Sequence, residues 1–279
     1  MEKVKLKVFM CTHKPLSFLP PYCVAVQGGA AVNKRIPNTL ADIGAGGSIS
    51  KKNAEYCENT VIYYAYKNEN CDFYGFCHYR RFFLFDADFP YPYDVVKRAE
   101  GRRLSDILRG GEIIEELIQN FEVILPRAED LGLPVREQYA LSDNCCLEDF
   151  DLFICLLKEK YPILSPFADL YISGTKQYLC NMFVMKRDIF FDYCRCLFSL
   201  LSDFDEIKRS AGEPITKRTN GYISERFLGI YVLYLKSKKA KIYECQRIDC
   251  EADLKRRLSF RLFPPESGRR FFLKSILGK

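Results

Sequence analysis

Short apolar runs alternate along this chain with stretches of helical spacing, and the alternation predicts most of its elements. Residues 5–11 read as a strand, closed at once by T-H-K-P, where Pro15 cannot continue it. Gly28, Gly29, Gly44, Gly46 and Gly47 mark a loop-rich stretch up to Ser50. Helical spacing resumes over residues 51–67, with Ala54, Cys57, Val61 and Ala65 on one face and Ser50 at the N-cap position. A second strand is predicted within residues 72–83, apolar at first and then abruptly cationic.

Beyond a loop at 84–93, helical patterns at 95–108 and 112–120 lead to a short strand at 122–125. Helices follow at 135–141 and 147–160, then a buried strand at 179–185 and a helix at 188–201. Residues 203–220 read as a charged connector, 222–235 as a helix opened by Gly221, and 241–248 as a last strand. Strands separated by helices predict an α/β fold built on a mostly parallel sheet flanked by helices. There is no internal repeat and no low-complexity tract.

Composition narrows the class. At 279 residues and 48% hydrophobic content the chain buries a sizeable core, which excludes global disorder. No run of about 18 apolar residues is present, so no transmembrane helix is expected. The thirteen cysteines form no C-x-x-C pair and no apolar leader precedes them. Reduced thiols packed as small hydrophobes in a cytosolic protein are the expectation.

The chemistry gathers at two places. In sheets of this class ligands bind beyond the carboxyl ends of strands. T-H-K-P and H-Y-R-R both follow predicted strands, and they hold the only two histidines, His13 and His78. With Lys14, Arg80 and Arg81 they form a cationic rim suited to a diphosphate.

These segments, in this order, resemble the family catalogued as domain of unknown function 4422, found among bacterial capsule and exopolysaccharide glycosyltransferases. The matching residues are T-H-K-P (12–15), S-K-K-N-A-E-Y-C-E-N-T (50–60), Y-G-F-C-H-Y-R-R-F-F (74–83), E-Q-Y (137–139), N-M-F-V-M-K-R-D-I-F (181–190) and G-Y-I-S-E-R-F-L (221–228). The resemblance implies an A-type glycosyltransferase-like domain over residues 1–250, and a UDP-sugar donor such as UDP-galactofuranose. The implied acceptor is a lipid-linked glycan of capsule, O-antigen or exopolysaccharide synthesis. Donor-binding candidates are Thr12, His13, Lys14, Asn53, His78, Tyr79, Arg80, Arg81, Asn181 and Arg218. The family's G-D-N-I-S loop reads Gly46-Gly47-Ser48-Ile49-Ser50 here, which puts a donor contact by that loop in question.

Sugar transfer needs a neutralised leaving diphosphate and a base for the acceptor hydroxyl. Among the Asp-x-Asp triplets, Asp86 and Asp88 follow the cationic strand and are the candidate ligands for Mn²⁺ or Mg²⁺. Metal-independent catalysis by His78, Arg80 and Arg81 is the alternative. Glu225, expected in the first turn of its helix, is the candidate base of an inverting transfer, with Asp169 in reserve.

The net charge of +6 is unevenly placed. From Lys255 to the end, Lys255, Arg256, Arg257, Arg261, Arg269, Arg270, Lys274 and Lys279 stand against Glu266 alone. Phe272 with Ile276 and Leu273 with Leu277 are i,i+4 pairs, and Arg270 with Lys274 is expected on the opposite face. Residues 251–279 therefore predict a basic amphipathic segment lying on the anionic inner face of the cell membrane. Two other readings remain: a catalytically inactive membrane scaffold, and a nucleic-acid-binding protein, against which the confinement of charge to one end counts.

Overall fold

The computed structural model describes residues 4–86, 90–143 and 145–277, without the side chains of 273–277. Its organising feature is the parallel pairing of two apolar strands. β1 (Leu6–Thr12) has β2 (Cys23–Gln27) on one side, with β3 (Leu40–Ala41) beyond it, all parallel. A 3₁₀ turn at Ser50–Lys52, α1 (Asn53–Tyr56) and α2 (Asn59–Asn68) then carry the chain across to β4 (Phe73–His78), parallel on the other side of β1. Strand order thus reverses between β1 and β4, and the crevice beyond their carboxyl ends is where open α/β sheets take ligands.

β4 turns back at residues 79–80 into β5 (Arg81–Leu84), so the single strand expected over 72–83 is a hairpin. Next come β6 (Tyr93–Val95), α3 (Gly101–Leu117), β7 (Val123–Pro126), β8 (Glu129–Asp130), α4 (Val135–Ala140), α5 (Leu147–Lys160) and α6 (Ser165–Ser173). The chain closes with β9 (Lys176–Gln177), β10 (Phe183–Lys186), α7 (Arg187–Ser210), α8 (Thr219–Ser237), β11 (Ile242–Asp249), α9 (Leu254–Leu262) and α10 (Gly268–Leu277).

Among the described residues nine strands form one sheet, in the order β10-β7-β11-β5-β4-β1-β2-β3 with β6 on β11. β10 also pairs back onto β4, so β4, β10, β7, β11 and β5 close into a ring. The sheet is mixed rather than mostly parallel, since β10 is antiparallel to β4 and β7, and β5 to β4 and β11. The cause is the β8–β9 ribbon, Glu129 opposite Gln177, which returns the chain to the carboxyl end of β7 before β10 starts. β10 can then only run the opposite way.

Three helical expectations change. Cys57, at φ 52 and ψ −129, breaks residues 51–67 into α1 and α2, and the Ser50 hydroxyl donates to Asp42 Oδ1 at 2.5 Å instead of capping a helix. The two patterns at 95–108 and 112–120 merge into α3. Residues 203–210, expected in a connector, belong to α7, where Asp205 is buried. Its carboxylate accepts from Lys52 at 2.6 Å, Tyr56 at 2.9 Å and Asn220 at 3.0 Å, fastening α1 to α7 and α8.

The core on this side is aromatic. Phe190 stacks on Tyr74 at 4.3 Å and Phe76 at 5.5 Å, and Tyr193 packs beside Phe227 and Tyr231 of α8. The backbone of α8 passes so close to α6 that a Cβ on Gly229 would lie 2.0 Å from Cζ of buried Tyr171. Gly229→Ala is therefore expected to destabilise the protein by about 1–3 kcal/mol, the usual cost of overpacking. A thermal melt that leaves the midpoint unchanged would contradict this contact.

Candidate functional site

Register builds the site. Cys11 of β1 pairs with His78 of β4, so the segments that leave these strands emerge side by side. His13 meets Tyr79 edge-on at 5.2 Å between ring centroids, and the Lys14 ammonium lies 4.7 Å above the same ring. A cavity of about 320 Å³ opens there. Its lining includes Thr12, His13, Asn53, Cys57, Glu58, His78, Tyr79, Arg80, Arg81, Arg218, Tyr222 and Glu225.

Eight of the ten donor-binding candidates line this cavity. Lys14 stands beside it, paired to Glu251 at 2.7 Å. Asn181 stands behind it, its amide donating to Glu58 at 2.7 Å and Ser224 at 2.9 Å while its buried Oδ1 has no partner. Arg81 faces Asp249 at 3.6 Å, leaving a buried Nε without a hydrogen bond. Of the two, Arg81 lines the cavity, where a polar ligand could satisfy its side chain.

Two carboxylates share the cavity. Glu225 accepts from the Cys180 N–H and from Arg226, each at 3.0 Å. Helix α8 begins at Thr219, so Glu225 lies in its second turn rather than its first, and the helix N-terminus is not its main support. Glu58, which sequence reasoning passed over, sits where the chain resumes helix after Cys57. Burial raises both carboxyls above the usual range; Arg226 opposes this at Glu225, and the Asn181 hydrogen bond opposes it at Glu58. Glu58 is one of two acidic residues of the 50–60 segment, with Glu55, and an unbroken helix hid its direction.

Backbone strain concentrates here. Cys57, Cys180, Asn181 and Arg218 all adopt positive φ, each costing on the order of 1–3 kcal/mol for a residue with a side chain. Cys57 and Arg218 line the cavity, Asn181 holds Glu58, and the Cys180 carbonyl lies 2.5 Å from His78 Nε2.

His78 is pushed down to about 4, chiefly by burial and then by Arg81, and His13 is lowered by burial and then Lys14 and Arg80. A histidine depressed in the fold binds its proton more tightly when unfolded. Stability is therefore lost as pH falls from about 6.5 towards 4, by up to roughly 3 kcal/mol at this site. The midpoint difference between His78→Gln and wild type should move in favour of the variant over that window; a pH-independent difference would refute it.

Other candidates lie elsewhere. Asp169 is exposed on α6 and paired with Lys158 at 2.5 Å, away from the cavity lining. Asp86 is exposed and paired with Arg102 at 2.8 Å. Asp88 lies outside the described residues. Proximity in sequence to H-Y-R-R misleads, because β5 runs back along β11 and carries Asp86 roughly 15 Å from Arg81 at about 3.3 Å per residue. No group of three His, Cys, Asp or Glu among the described residues is arranged to hold a metal ion, and Asp86 does not fit a metal site at this cavity. The Gly46–Ser50 loop is not part of the lining either. Gly46 N–H donates to Asn68, and a Cβ there would strike the Lys67 carbonyl at 2.2 Å, so the loop packs on the end of α2. Asp42, also unforeseen, holds the cavity's glycine loop by accepting from Gly29 and Ala30 N–H at 2.8 and 3.0 Å.

The carboxyl-terminal segment docks on the domain. Arg256 pairs with Asp249, and Arg270, expected on a solvent face, donates to Tyr93 Oη at 3.2 Å. Outward on α9 stand Leu254, Leu258 and Leu262, at 61%, 46% and 58% exposure. No helix among the described residues is long and apolar enough to cross a membrane. All thirteen cysteines are free, most of them buried.

Comparison with known proteins places this geometry. The model of a family described as "Domain of unknown function (DUF4422)" matches residues 7–238. A solved structure described as "WbbM bifunctional glycosytransferase apo structure" aligns with a TM-score of 0.80 at 27% identity. The alignment covers 89% of this chain and 46% of that one, so the chain spans about half the length of its match. No curated protein matches.

Proposed function

The chain belongs to the domain of unknown function 4422 family, and on that premise we propose that it is a glycosyltransferase using a nucleotide-diphosphate sugar. The observation that carries this reading is a cavity, at the β1/β4 switch point, that sets a cationic wall against two half-buried carboxylates. Arg80, Arg81, Arg218 and His13 meet the donor diphosphate, matching its oxygens as guanidinium and imidazole donors do. Glu58, steadied by Asn181, accepts from hydroxyls of the donor sugar. Glu225 takes the proton of the acceptor hydroxyl. The new bond forms as the anomeric C–O bond breaks, the departing electron pair passing to the diphosphate, with inversion at the anomeric carbon.

The similarity to a glycosyltransferase structure supports an A-type fold for residues 1–250. UDP-galactofuranose is the proposed donor and a lipid-linked glycan of capsule, O-antigen or exopolysaccharide assembly the acceptor. The cationic wall supplies the diphosphate's counter-charge from the protein itself; added Mn²⁺ or Mg²⁺ is an arm of the test, not a step of this scheme. Incubation with UDP-galactofuranose and other UDP-hexoses, with and without Mn²⁺, should release UDP faster than buffer alone. Binding of these donors without release of UDP would turn the reading towards a catalytically inactive scaffold.

The protein is proposed to work as a peripheral protein on the inner membrane face. The Leu254, Leu258 and Leu262 stripe on α9, flanked by Lys255, Arg257 and Arg261, supports this reading. Replacing the three leucines with serine should abolish co-flotation with phosphatidylglycerol vesicles while leaving nucleotide binding intact. Equal flotation of the triple variant would remove α9 as the membrane contact.

A further inference from the structure

A second cavity adjoins the first and shares its wall. It measures about 470 Å³, within the range of small-molecule sites, and its lining includes Gln138, Ser142, Asp143, Cys145, Tyr222, Glu225 and Arg226. Tyr222 and Glu225 line both cavities, so the candidate base stands on the partition between them. We propose that this second cavity is the acceptor subsite, taking a neutral, hydroxyl-rich saccharide whose attacking hydroxyl reaches Glu225 from the side opposite the donor. The inference rests on the transferase reading of the first cavity.

Charge separates the two sites. The first cavity carries Arg80, Arg81 and Arg218, whereas the second has Arg226 already engaged with Glu225 at 3.0 Å and adds the carboxylate of Asp143. A diphosphate is favoured in the first and repelled in the second, while an uncharged polyol loses nothing by the exchange. The lining is polar, and Tyr222 offers a half-buried ring on which a pyranose or furanose can lay its C–H face.

A hydrogen-bond chain orients the shared base from the acceptor side. Arg226 Nη1 donates to Glu225 Oε2, and its Nη2 donates to Gln138 Oε1 at 2.9 Å. Gln138 is held in turn by Gln177 at 2.9 Å and by its own donation to Ser142 at 2.8 Å. Arg226 Nε is buried without a partner, a donor left for a ligand oxygen. The E-Q-Y segment at 137–139, which no donor-site role explains, thereby meets the 221–228 segment through the hydrogen bond of Arg226 to Gln138 and the Arg226 guanidinium over the Tyr139 ring. Binding here brings the hydroxyl to a fixed carboxylate while the donor waits across the wall, and such positioning is worth several orders of magnitude in rate.

The test fills the second cavity without touching the first. Ser142→Trp and the wild type are compared for UDP affinity by calorimetry, for UDP release from the donor in water, and for transfer to octyl glucoside and octyl galactoside. Ser142→Trp should lower transfer by about tenfold or more, because it blocks the saccharide hydroxyl's approach to Glu225, while release in water and UDP affinity stay within about twofold of wild type. Unchanged transfer in a folded Ser142→Trp protein, or a parallel loss of release in water or of UDP affinity, would overturn the acceptor assignment and leave the transferase reading standing. A wild-type protein that binds no nucleotide would overturn both.

Discussion

Glu225→Gln should lower kcat for sugar transfer by about 10²–10⁴-fold, the range general bases supply, while UDP affinity stays near wild type. The substitution keeps the shape of the side chain and its acceptance of the Cys180 N–H, so the loss reports proton removal rather than collapse of the site. The pH profile adds a second readout. Burial, and repulsion from Glu58, hold the Glu225 carboxyl above its ordinary value, with Arg226 opposing. A base must be ionised to act, so activity is present above that raised value and falls as pH drops through it. The acid limb of kcat/KM should therefore lie above the usual carboxylate range and vanish in the glutamine variant's residual activity. A variant that retains more than about a third of kcat would assign the proton to another group, and Glu58, across the same cavity, would be next in line.

Arg80→Ala should weaken UDP or UDP-sugar binding by about 10–100-fold, the worth of one or two charge-assisted hydrogen bonds to a diphosphate. Arg80 is chosen because no ion pair engages it among the described residues, whereas Arg81 faces Asp249 and Lys14 is paired with Glu251. Its backbone carbonyl accepts from Cys250 N–H at 2.7 Å, a contact that alanine keeps, so the fold is expected to survive. Arg80→Lys should recover only part of the affinity, since an ammonium cannot reproduce the two-pronged contact. Equal affinity for wild type and Arg80→Ala, measured at low salt, would remove the cationic rim as the diphosphate site.

Part of this site is legible in the sequence. Two strands ending in T-H-K-P and H-Y-R-R carry the only histidines, and parallel in-register pairing was enough to bring them together. Individual strands such as β1, β7 and β11 were legible because a short apolar run bounded by polar residues has few alternatives. What stayed hidden depends on chain direction and on single backbone torsions. A twelve-residue apolar–cationic run does not announce that it folds back at residues 79–80, and that reversal alone moved Asp86 away from the cavity. The positive φ of Cys57 turned a helical face inward at Glu58, and no periodicity marks such a position. Pairing of Arg270 with Tyr93 and of Arg256 with Asp249, and the exposed leucines of α9, depend on tertiary contacts that the charge pattern of the tail does not specify.

The measurement closest to the central claim is calorimetry of the purified protein against UDP, GDP and CMP and their sugars, each with and without Mn²⁺. The account predicts saturable binding of the uridine class, with the sugar nucleotide outcompeting its bare nucleotide for the cavity that holds Glu58, and loss of that binding in Arg80→Ala. Absence of binding to every nucleotide and nucleotide sugar, by a protein that melts cooperatively, would contradict it.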